Sequence, residues 1–166
     1  MESLLSDLEG LRIAMNIEKR GFNFYQKAYN KFKDTQAKAL FKTLMEEEQE
    51  HLFTFTEYFN QIEACKEAHS DEYLFDAETS KYLTALVDAH VFPAEQDAER
   101  IINELATLGN IIKLAIGAEK DSILLYDELA KCSKFEDAKT VFLKLKGEEQ
   151  RHVTEISHKF KQILNA

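Results

Sequence analysis

The chain has 166 residues, of which 45% are hydrophobic and 31% charged, enough apolar material for one full core and by default one domain. A single proline and five glycines are too few turn residues for a β-rich fold, so a mostly helical chain is expected. A net charge of −9 argues against a general nucleic-acid binder, because phosphate needs a basic surface.

The first residues, Met1 to Asp7, are acidic and lack a basic stretch followed by an apolar one, so no signal peptide is expected. No apolar run approaches the roughly 18 residues of a membrane span, and the expected compartment is the cytoplasm. Apolar residues then recur every three and four positions: Leu4, Leu8, Leu11, Met15, Glu18, Phe22, Tyr25, Tyr29, Phe32. This is the seam of a bundle helix, and Glu18 sits on it. Asp34 and Thr35 supply a break and an N-cap. A second helix carries Ala37, Phe41, Leu44, Glu48, His51, Phe55, Tyr58 and Ile62 and fades near His69.

Residues 70–109 read as a long crossover. Within it, 80–90 and the stretch after Pro93 have the character of short helices, with Pro93 near a first turn. Gly109-Asn110 punctuates the chain. A third helix reads Ile112, Ile116, Glu119, Ile123, Tyr126, Ala130, and a break follows near Ser133. A fourth reads Ala138, Phe142, Leu145, Glu149, His152, Ile156, continuing to Phe160 and Ile163. The expected fold is all-α, a four-helix bundle of hairpin 1 (1–69) and hairpin 2 (110–166) joined by the crossover.

The hairpins are copies of one another. Glu18, Glu48 and His51 recur at a constant offset of 101 as Glu119, Glu149 and His152. Pairing 14–64 with 115–165 without gaps gives 16 identities, among them Ala14/Ala115, Tyr25/Tyr126, Phe41/Phe142, Leu44/Leu145, Phe59/Phe160 and Ile62/Ile163. Seam residues dominate, so the two hairpins should pack alike.

Four glutamates on core seams require a partner. A buried, uncompensated carboxylate costs on the order of several kcal/mol. Protonation, pairing with a buried lysine or arginine, or bound cations would each relieve it; Lys19, Lys120 and Arg151 fall off the ligand face, so basic side chains are not expected to neutralise them. Two divalent ions would, and two neutral imidazoles would complete the ligand set. In Glu-x-x-His the two side chains lie on one helix face and reach one centre. The mixed oxygen and nitrogen donors suit iron or manganese without excluding zinc. Glu155 and His158 repeat the motif, but they are rotated off that face and the offset does not reproduce them (Thr54 and Glu57 stand there), so they read as solvated surface.

Tyr25 and Tyr126 follow the lone glutamates by two turns. They read either as core packing or as hydrogen-bond donors to a ligand carboxylate. His69 and His90, in or near the crossover, are expected in solvent, and Glu46, Glu47, Glu50 and Glu148 on the helix surface. Cys65 and Cys132 form no Cys-x-x-Cys and read as buried or half-buried thiols in a reducing compartment.

The pattern Ala14-x-x-x-Glu18, then Tyr25, then Glu48-x-x-His51, all repeated, resembles the rubrerythrin branch of the ferritin-like superfamily. The resemblance covers both hairpins and matches six ligand positions and both tyrosines. It implies a di-iron carboxylate site that reacts with peroxide or dioxygen. By that likeness Glu48 and Glu149 bridge the metals, Glu18 and His51 complete one, and Glu119 and His152 the other. Rubrerythrins also carry a rubredoxin domain, for which this chain has no cysteine pairs, and commonly a further glutamate where Ser122 stands here.

The function expected is an oxidoreductase that reduces peroxide or dioxygen with electrons from an external donor such as a rubredoxin-like protein. The alternatives are a ferroxidase or iron-handling protein, for which storage would require a closed cage, and a structural bundle with a non-redox metal pair. A homodimer is compatible with each.

Overall fold

The computed structural model describes residues 3–89 and 92–165. Helix α1, Asp7–Lys31, starts where the Ser6 side chain accepts a hydrogen bond from the Glu9 N–H. Leu4, expected on the seam, lies ahead of that cap and is 40% exposed. Helix α2, Thr35–Glu63, is capped by Asp34, whose carboxylate accepts from the Ala37 N–H at 2.8 Å. The expected break and cap at Asp34-Thr35 are therefore present.

The crossover is more structured than its sequence suggests. After one-turn 3₁₀ segments at Lys66–His69 and Asp71–Tyr73 come α3, Ala77–Ala89, and α4, Glu95–Leu105. Both expected short helices form, and Pro93 precedes α4 by two residues. Helix α5, Leu108–Cys132, begins before Gly109-Asn110, so that pair lies in its first turn. The actual punctuation is Ala106, at φ 64°, followed by Thr107, whose hydroxyl accepts from the Asn110 N–H. Helix α6, Glu136–Leu164, completes the bundle.

Helices α1 and α2 pack as one hairpin and α5 and α6 as the other, while α2 lies on α6, α3 on α5 and α4 on α1. Contacts between Tyr25 and Glu119 and between Glu18 and Tyr126 make α1 antiparallel to α5. Alanines and bulky apolar side chains alternate along the buried faces, with Leu11, Ala14, Ala28, Phe41, Leu44, Ala115, Leu129, Ala138 and Phe142 inaccessible or nearly so. This is how helices approach closely around a mid-bundle site.

In two places where the repetition fails, other parts of the chain compensate. Asp34 corresponds to Phe135, which cannot cap α6. Asp7 of α1 instead ties down the chain just ahead of α6 from across the bundle, its Oδ2 accepting from the Lys134 N–H at 2.9 Å and the Phe135 N–H at 2.8 Å. Phe55 packs edge-on against Tyr126, with ring centroids 5.3 Å apart, but its counterpart in hairpin 2 is Ile156. Phe92 of the crossover supplies the edge-on ring for Tyr25, also at 5.3 Å.

Candidate metal centre

All six residues singled out by the repeat converge at mid-bundle. Glu18, Glu48, His51, Glu119, Glu149 and His152 are each at most 3% exposed. They form two groups, Glu18, Glu48, His51 and Glu149, and Glu48, Glu119, Glu149 and His152. Within each group one donor atom per residue lies within 4.8 Å of all the others, close enough to hold a single ion. Glu48 and Glu149 occur in both groups, the placement that the resemblance implied for bridging residues.

The geometry explains the sharing. Glu149 lies between the histidines, Oε1 3.1 Å from His51 Nδ1 and Oε2 2.8 Å from His152 Nδ1. The imidazoles stack, with centroids 5.2 Å apart and planes 15° from parallel. His51 Nδ1 is also 3.4 Å from Glu18 Oε2, and His152 Nδ1 is 3.5 Å from Glu119 Oε1. Both Nδ1 atoms therefore face the carboxylates, and both Nε2 atoms face away.

Tyr25 donates to Glu119 Oε1 and Tyr126 to Glu18 Oε1, each at 2.6 Å. Of the two readings open for these tyrosines, packing and hydrogen bonding, the structure shows both at once. Each tyrosine serves the lone glutamate of the other hairpin.

The electrostatics are those of too many carboxylates in one dry place. Burial first, then repulsion from neighbouring carboxylates, pushes Glu48 and Glu149 well above the usual glutamate range. Burial also opposes charge on Glu18 and Glu119, but hydrogen bonds outweigh it. Glu18 is lowered by Glu48, His51 and Tyr126, and Glu119 falls to about 2 through Glu149, His152 and Tyr25. Burial disfavours charge on His51 as well, yet contacts with Glu149 and Glu18 push it up to about 11, and His152 moves the same way. Burial and the adjacent carboxylates raise both tyrosines, so they stay protonated donors.

Even so, one oxygen on each of the four glutamates is buried without a hydrogen-bond partner: Glu18 Oε2, Glu48 Oε1, Glu119 Oε2 and Glu149 Oε2. His152 Nδ1, although 2.8 Å from Glu149 Oε2, makes no well-directed hydrogen bond either. Acceptors left without a well-directed hydrogen bond fit a cation, since the nearby imidazoles offset their desolvation cost only in part.

Two residues expected on the surface take part. Glu148 Oε2 lies 2.6 Å from His51 Nε2, and Glu47 Oε2 lies 2.5 Å from His152 Nε2. Both carboxylates are half-buried and reach inward from the rim. The signal was in the sequence, because Glu47 and Glu148 are themselves one of the 16 identities. Arg151, expected off the ligand face, reaches Glu47 at 3.4 Å. Gly21 was also missed. A Cβ there would lie 3.2 Å from the Glu48 carboxyl carbon and 3.1 Å from Phe92, so glycine permits the close approach.

The remaining candidates fall outside the cluster. Glu155 pairs with Arg151, and His158 is exposed, as expected. Glu46 and Glu50 are exposed, and His69 Nε2 meets the Glu63 carbonyl oxygen in solvent. His90 lies outside the described residues. Cys132 is half-buried, but Cys65 is exposed, contrary to expectation, because it follows the end of α2.

No family model and no curated protein matches the sequence. Two solved structures do match in shape. One is a Thermotoga maritima protein assigned as a ferritin-like diiron-carboxylate protein, with a TM-score of 0.72, 23% identity, and 95% of this chain and 96% of that one covered. The other is a two-domain Anabaena variabilis protein containing DJ-1/ThiJ/PfpI-like and ferritin-like domains, with a TM-score of 0.65 and 17% identity. There the match covers 96% of this chain and 40% of the other.

The fold is ferritin-like. The ferritin-like bundle presents its six inward donors from α1, α2, α5 and α6, one glutamate from each of α1 and α5 and a Glu-x-x-His from each of α2 and α6. Among the described residues no helix is long and apolar enough to cross a membrane.

Proposed function

We propose that this chain holds two metal ions, most suitably iron, and reduces peroxide or dioxygen with electrons from a separate donor, as in the rubrerythrin branch. The observation that carries the proposal is the four orphaned carboxylate oxygens, buried beside two inward-facing Nδ1 atoms in two groups that share Glu48 and Glu149. Four carboxylates balance two divalent charges, and the donor set of oxygen and imidazole nitrogen suits iron or manganese. The Thermotoga protein's description as diiron-carboxylate is consistent with this reading.

Glu18 and His51 would hold one ion, Glu119 and His152 the other, with Glu48 and Glu149 shared. Held there in reduced form, such a pair would supply the two electrons that reduction of a peroxide requires. The protein supplies orientation. The Tyr25 and Tyr126 hydroxyls fix the rotation of Glu119 and Glu18, leaving the opposite oxygen of each carboxylate free. Glu47 and Glu148, against the outer nitrogens, keep each Nδ1 turned inward. Phe41, Phe55, Phe92 and Phe142 surround the tyrosines and exclude water. Ser122 spends its buried hydroxyl on the Ala118 carbonyl at 3.1 Å, so it contributes no carboxylate and no free donor.

Reduction of peroxide to water consumes two electrons, and among the described residues no further His, Cys or carboxylate cluster is present to refill the site. The test is anaerobic loading with ferrous ion, metal analysis, and stopped-flow mixing with peroxide. The expected result is one fast oxidation per loaded protein, with repeated turnover only when a rubredoxin-like donor is added. Sustained peroxide loss without a donor would indicate a catalase-like centre. No oxidation at all would favour a non-redox metal pair.

A further inference from the structure

Arg151 breaks the repetition of the site. Its Nη1 lies 3.4 Å from Glu47 Oε1 and 3.1 Å from Glu155 Oε1, and Glu47 Oε2 is 2.5 Å from His152 Nε2. A line of charged groups thus connects the surface with the histidine of hairpin 2. The 101-residue offset places Glu50 at the position of Arg151 and Thr54 at that of Glu155. On the other side, Glu148 lies 2.6 Å from His51 Nε2, and among the described residues no lysine or arginine is within ion-pair distance of it.

These outer contacts bear on the inner atoms. A carboxylate against the outer nitrogen of an imidazole makes the inner nitrogen a stronger donor to a metal. A guanidinium on that carboxylate draws its charge away, and it does so at every ordinary pH because arginine does not discharge. Its fixed positive charge also repels a cation placed just beyond the histidine. Glu50, at the matching position, brings the opposite sign.

We infer that Arg151 makes the two metal positions unequal, so that the ion held by His51 binds first and more tightly and the ion held by His152 second and more weakly. The inference rests on the two-metal reading above and assigns an order of filling to it. Glu47 and Arg151 are positioning residues here, acting on the metal through His152.

Calorimetric titration of the full chain with Co(II), with the visible spectrum recorded in parallel, tests it. The wild type should take up two ions in two resolved steps. His51→Ala should lose the tighter step, and His152→Ala should retain it. Arg151→Gln, at a side chain about half exposed, should preserve the fold and tighten the weaker step on the order of tenfold, with a smaller effect on the tighter one. Helical circular dichroism and melting confirm that each variant is folded. Retention of the tighter step in His51→Ala, or two unchanged steps in Arg151→Gln, would overturn the inference while leaving the two-metal site standing. Fewer than two Co(II) per wild-type chain would overturn the two-metal reading and the inference with it.

Discussion

Tyr126 on α5 donates its hydroxyl to Glu18 on α1 at 2.6 Å, both groups fully buried, and Tyr25 repeats the contact with Glu119 in the opposite sense. The hydrogen bonds run between hairpins, so each half of the chain completes the site of the other. A carboxylate held this way has one oxygen engaged and one directed into the cluster.

Tyr126→Phe and Tyr25→Phe should therefore each weaken metal binding on the order of tenfold while leaving the helices intact. The rings keep their packing against Phe142, Phe55, Phe41 and Phe92, so only the hydroxyl is lost. Co(II) titration of the two variants is the measurement. Wild-type affinity in both would show that the tyrosines only pack.

The metal-free protein should lose stability as the pH rises. Glu48 and Glu149 are raised above their ordinary 4.5, and His51 above its ordinary 6.5 to about 11. Each binds its proton more tightly folded than unfolded. That contribution is complete below the ordinary values and is lost as pH climbs toward the folded ones. Glu18 and Glu119 are shifted the other way and act only on the acid side. Melting temperatures of chelated protein should fall between about pH 5 and pH 8, and bound metal should flatten the profile. Superimposable profiles with and without metal would argue against a shared buried site.

Glu149 touches both histidines, whereas Glu155, six residues on, touches Arg151 at the surface. Glu149→Ala should remove both ions together, and Glu155→Ala should leave two ions per chain. Metal analysis after desalting distinguishes them. Equal losses would mean that the face assignment of α6 is wrong.

Asp7 anchors the chain entering α6 from the far side of the bundle, whereas Asp34 caps α2 from within its own hairpin. Asp7→Ala leaves two N–H groups without their acceptor and should cost about 1–2 kcal/mol. Asp34→Ala, at an exposed cap, should cost less. Urea melts of both variants decide the order; a larger loss at Asp34 would contradict it.

The sequence alone determined the helices, the duplication and the six residues that meet at mid-bundle. The reason is periodicity. A helix face repeats every 3.6 residues, so carboxylates placed on an apolar seam must go inward with it, and a constant offset of 101 marks them twice. Gly109-Asn110 misled, because turn-forming residues are also tolerated in the first turn of a helix.

Only the tertiary structure decided which residues meet across helices. Glu47 and Glu148 look like any surface glutamate on their own helix, and their contact with His152 and His51 exists only once α2 lies on α6. Asp7 anchoring the entry to α6, Phe92 replacing a missing ring on Tyr25, and Arg151 reaching Glu47 are likewise contacts between segments far apart in the chain. Periodicity specifies the face a side chain occupies; its partner is set by the register and rotation of the helix that packs against that face, and this depends on the whole core at once.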